Sequence, residues 1–213
     1  MRPLALLGLI GVLGASPTHA AESKIFLSGH SFVDGGFPLT GPTEELQAVG
    51  VINHIRRPLF WSPDIYSYTW YARGLISLGS TVYGTTYVTE YVGGQFSIHV
   101  DMSANHDYGV FPSNGTVPDT FIDGHGVYLQ GDFESCMVTY NTATASGAFA
   151  AEVTFTDGNA YPQLLDPAGW AIGATISGFS PAGYCGQING ALFVEGPLGV
   201  EDKSWGDIKA LYR

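Results

Sequence analysis

Six side chains within one stretch have the chemistry to ligate a metal: His99, Asp101, His106, Asp107, Asp123 and His125. His99 and Asp101 are two residues apart, so on a β-strand they share a face, and the other four fall in segments able to converge on them across a hairpin. Imidazoles with carboxylates suit zinc, and carboxylates with backbone carbonyls suit calcium. No HExxH or EF-hand loop fixes a geometry. His99, Asp101, His106, Asp123 and His125 therefore stand as the expected metal set, against the alternative of surface histidines beside turn aspartates. The sequence requires no cofactor; calcium or zinc are the ions such a set would take. A second group is aromatic. Tyr66, Tyr68 and Trp70 alternate on one strand face, with Trp61 and Tyr71 nearby, and together form an expected platform for stacking on an extended polysaccharide. Tyr83, Tyr87 and Tyr91 with Thr81, Thr85 and Thr89 make another polar-aromatic face. The competing explanation is that strands simply favour aromatic and β-branched residues.

The segment Gly29-His30-Ser31-Phe32-Val33-Asp34-Gly35 follows the strand-like stretch 25–28. It resembles the first block of the GDSL-type (SGNH) hydrolases, and the resemblance implies Ser31 as a nucleophile. His30 stands where that family carries Asp, and neither an Asp-x-x-His nor a Gly-x-Asn-Asp block follows. A hydroxyl needs an adjacent base to act as a nucleophile. Glycoside cleavage needs two carboxylates at a set separation, and with 19 acidic residues in the chain no spacing singles out a pair.

The chain carries a formal charge of −11, and no Lys or Arg occurs between Arg73 and Lys203. Nucleic acid is excluded as a partner, since binding it takes clustered cations to displace counterions. Anionic lipid is excluded for the same reason. Residues 1–20 read as a signal peptide: Arg2, an apolar run over 4–13 too short to span a bilayer, and small residues before a cleavage point after Ala20. The expected location is secreted, periplasmic or cell-surface, with no transmembrane segment in the mature chain. In that setting the pair Cys136 and Cys185 is expected to form a disulfide. It would close a loop of about fifty residues and contribute roughly 4 kcal/mol.

These groups need elements to position them. From Ile65 onward the apolar pattern has period two, interrupted by Gly, Asp, Asn or Pro, which predicts antiparallel strands and hairpins. Phe96, Ile98 and Val100 oppose Ser97, His99 and Asp101; Phe149, Ala151, Val153 and Phe155 oppose Glu152, Thr154 and Thr156; Cys136, Val138 and Tyr140 alternate with Met137 and Thr139. A loose repeat (Tyr91-Val92-Gly93-Gly94, Phe121-Ile122-Asp123-Gly124, Phe155-Thr156-Asp157-Gly158) reads as hairpin turn chemistry. The expected fold is all-β, an antiparallel β-sandwich, with a β-solenoid as the alternative. Residues 21–64 form an irregular Gly/Pro-rich segment with a candidate helix over 43–55, 65–201 the sandwich core, and 202–213 a C-terminal helix or sorting tail.

The ending Trp205-Gly206-Asp207-Ile208-Lys209-Ala210-Leu211-Tyr212-Arg213 resembles that of uncharacterised secreted bacterial β-rich proteins, which implies a recognition or sorting tail and names no activity. Together these features predict a secreted or cell-surface, non-enzymatic structural or adhesion β-domain. A carbohydrate-binding module is the alternative, and a hydrolase or metal-dependent enzyme the second. Asn114-Gly115-Thr116 fits a glycosylation acceptor in a eukaryotic setting.

Overall fold

The computed structural model describes residues 22–33, 35–109, 119–124 and 126–194. The signal peptide, the 202–213 helix or tail, Asn114 and His125 lie outside these residues. Nine strands form one sheet: β1 (Glu22–Val33), β2 (Pro42–Ile55), β3 (Ser67–Tyr83), β4 (Thr86–Val92), β5 (Gln95–Asp101), β6 (Gly126–Asn141), β7 (Ser146–Asp157), β8 (Trp170–Ser177) and β9 (Gly186–Val194). Every pairing is antiparallel, and β1 returns to pair with β9. The sheet therefore closes on itself. β4 and β5 occupy one stave: β3 pairs with both along one side and β6 with both along the other. The result is an eight-stave, up-and-down antiparallel barrel.

The expected sandwich, and the solenoid beside it, are thereby corrected. Period two reports that one face of each strand is buried, and a closed sheet buries one face as well as a stacked pair does. What converts the sheet into a barrel is the stretch 21–64, expected to be irregular, which supplies two full staves. Within it the candidate helix over 43–55 is also corrected, because β2 runs through it. Leu46, Ala48 and Ile52 point inward while Val49 packs on the outside. Thr43 resembles a helix cap in sequence, but takes a positive φ of 73° at the start of the strand.

The Gly-Gly and Asp-Gly repeat does not mark three hairpins. Gly93 and Gly94 (φ 68° and 95°) interrupt a stave whose chain continues in the same direction. Phe121 ends a single 3-10 turn, Asp119–Phe121, and only Gly158 turns the chain at the end of a strand. The period-two assignments after Ile65 do match: Phe96 and Ile98, Cys136, Val138 and Tyr140, and Phe149, Val153 and Phe155 all face the core.

Side chains fill the interior where the staves cross midway. Leu27, Ala48, Trp70, Phe96, Phe133, Phe149, Ile172 and Ile188, one from each stave, meet around a gap no larger than a single water molecule. Trp70 is 3% exposed, stacks on Phe96 with ring centroids 5.9 Å apart, and donates its indole N–H to the Ser28 carbonyl at 3.0 Å. Its ring crosses Gly50 and Gly29, which are partners in the β1–β2 ladder. A Cβ on Gly29 would sit 2.6 Å from the indole, and one on Gly50 would collide with both the indole and the Ser28 carbonyl. Burying an indole contributes on the order of 4 kcal/mol.

Gly50→Ala should therefore lower the unfolding free energy by about 3 kcal/mol, the range for overpacking a filled core. Gly84→Ala, where φ is +62° but nothing lies within 4 Å, should cost only about 1 kcal/mol. Urea unfolding of both variants checks this; equal losses would show that the Trp70 crossing has no special weight.

Candidate functional site

Ser31 lies on β1 with its side chain turned into the barrel, 2% exposed, and donates a hydrogen bond to the Gly186 carbonyl at 3.3 Å. His30, the next residue, points outward, so alternation along the strand separates the two. Its Nδ1 instead lies 3.0 Å from Ser180 Oγ, in the β8–β9 connection. Tyr108 meets the His30 ring edge-on at 4.7 Å and Tyr184 packs on it at 5.4 Å. Tyr184 O–H donates to the Tyr108 carbonyl at 3.0 Å. Phe32, Val49, Phe121 and Tyr184 make a small second core under these rings. Thr69 adds a bond from its hydroxyl to the Phe121 carbonyl at 2.8 Å.

His106, Tyr108 and Phe121, from the described residues after β5, thus pack over the outside of β1, β2 and β3. Burial lowers the pKa of His30 and pushes Tyr108 up to about 12. Neutral His30 can accept a proton from Ser180. Among the described residues, however, no carboxylate hydrogen-bonds its other nitrogen to complete a relay.

The expected metal set is spread over separate interactions. His99 bonds Ser97 through Nε2 at 3.0 Å. Asp101 accepts from the backbone N–H and the hydroxyl of Ser103, and Asp123 accepts from Asn105 at 3.0 Å. His106 lies against Phe121, its Nδ1 buried. No group of three or more ligating side chains occurs among the described residues.

Tyr68 and Trp70 of the expected sugar platform face the barrel interior and are buried, while Tyr66 is half-buried beside Tyr68. Trp61 and Tyr128 enclose Tyr68 at 4.6 and 5.3 Å, and its hydroxyl accepts from the Ser62 N–H. These rings fill one end of the barrel instead of presenting a face. The second expected aromatic face is divided likewise: Tyr91 and Thr89 are buried, and Tyr83 is exposed.

The expected disulfide is corrected, since Cys136 and Cys185 are both free thiols. Cys136 sits inside the barrel on β6, where burial raises its pKa. Cys185 lies in the loop entering β9, its N–H bound to the Ser31 carbonyl at 2.7 Å. An even cysteine count records the chance of pairing, but the pairing itself requires facing Cβ positions that spacing does not supply.

The barrel end where β1, β3, β6 and β8 finish has four connections. Backbone hydrogen bonds tie its connections to one another or to an adjoining strand. Ser80 N–H donates to the Thr40 carbonyl, Thr142 N–H to Thr85, and Gly178 N–H to Ala145, at 2.9–3.0 Å. Thr40 N–H bonds Ser80 Oγ at 2.9 Å, and Phe37 packs on Tyr140 at 4.8 Å. By sequence these connections carry one charged residue, Asp34 before Gly35, and their described residues, 35–41, 84–85, 142–145 and 178–185, carry none. The nearby carboxylates of Glu44 and Glu45 accept from the backbone N–H groups of Gly41 and Gly74. Leu39 (61%), Tyr83 (66%) and Phe179 (82%) are exposed at this end. The opposite connections carry Arg56, Arg57, Asp64, Asp107, Asp119, Asp123 and Asp166. The available signal was the total absence of charge across 135–151 and 167–194.

Two measurements follow from these buried groups. Alkylation in denaturant without reductant should modify both cysteines, while native protein leaves Cys136 unreacted; a mass two hydrogens short would show a disulfide. His30 and His99 are held below the ordinary value of 6.5, the first by burial and the second by burial and then by the Arg73 cation. The unfolded chain therefore binds more protons than the folded one in the interval just below 6.5, so their contribution is full above that pH and lost as pH falls through it. The urea midpoint should drop from pH 7 to pH 5, and the double variant His30→Gln/His99→Gln should flatten that drop; an unchanged slope would discard the assignment. No protein-family profile, curated protein or solved structure matches this chain.

Proposed function

We propose that the protein is a secreted or cell-surface, non-enzymatic structural or adhesion domain. The observation that carries this reading is the filled barrel: one side chain from each stave meets its neighbours around a gap of one water, and no chamber for a small substrate opens among them. The groups with catalytic chemistry point the same way. Ser31 faces the core, Cys136 is buried with its thiol pKa raised, and the His30 and Ser180 contact is enclosed by tyrosine rings. What the chain offers to a partner is its outer surface. Net negative charge keeps such a domain dispersed outside the cell, and the signal-peptide reading of residues 1–20 supplies the route there.

Fractionation of producing cells with intact-mass analysis tests the proposal. The expected outcome is a chain beginning at Ala21 in the envelope or medium. A cytoplasmic chain retaining residues 1–20, or covalent labelling of Ser180 by a fluorophosphonate probe, would overturn it.

A further inference from the structure

We draw no further inference here: the strongest candidate, the surface patch of exposed Phe60, Ile65 and Leu165 where the β2–β3 and β7–β8 connections are hydrogen-bonded together at one barrel end, carries charges of both signs in Arg56, Arg57, Asp64 and Asp166, and nothing in the structure shows what covers it.

Discussion

The crossing of Trp70 over Gly29 and Gly50 is the contact on which the rest of the barrel depends. It joins three neighbouring staves through one side chain: Trp70 belongs to β3, the glycines to β1 and β2, and the indole N–H closes onto the Ser28 carbonyl of β1. Only hydrogen in place of Cβ lets the ring lie there. From this point the interior is a chain of rings. Trp70 stacks on Phe96, Phe96 meets Phe133 and Phe155 edge-on, and Phe155 meets Trp170. The aromatic payload that would otherwise be exposed on a flat sheet is thus consumed as the filling of a closed one.

A filled centre displaces polar chemistry outward. Polar groups that remain inside find partners, Ser31 on the Gly186 carbonyl and the Tyr91 hydroxyl on Thr40, because a buried unpaired polar group carries a desolvation penalty. Histidines and tyrosines gather outside β1 to β3 beneath the chain that follows β5, where their rings pack and their hydroxyls find carbonyls. Charge separates along the barrel axis. One set of connections holds two arginines and several aspartates; the other holds Asp34 alone and exposes Leu39, Tyr83 and Phe179. The molecule has two unlike ends, which a uniform acidic composition does not suggest.

Where strands are well alternated, the sequence was a good guide: β6 and β7 have the inward faces their pattern predicts. It misled where glycine interrupts the pattern. The glycines and prolines of 35–42 make the stretch before Ile65 look irregular, although they only join β1 to β2; Gly29 and Gly50, inside those strands, are glycines because an indole from a third strand lies on them. Gly93 and Gly94 look like a turn, and their positive φ angles instead bend one stave without reversing it. The candidate site residues show the same limit. Period two correctly grouped Tyr68 with Trp70 on one face, but whether that face meets water or another strand is a property of the closed sheet.

The sequence by itself determined that this is an acidic all-β chain with antiparallel strands after Ile65, because side-chain alternation is a local consequence of strand geometry. Only the tertiary structure decided that the sheet closes, that the two cysteines are not bonded to each other, and that most of the charged connection residues gather at one end. Those depend on the pairing of β1 with β9, residues at opposite ends of the described chain. No local pattern encodes that contact: its hydrogen bonds and the packing behind it exist only once every stave between them is in place.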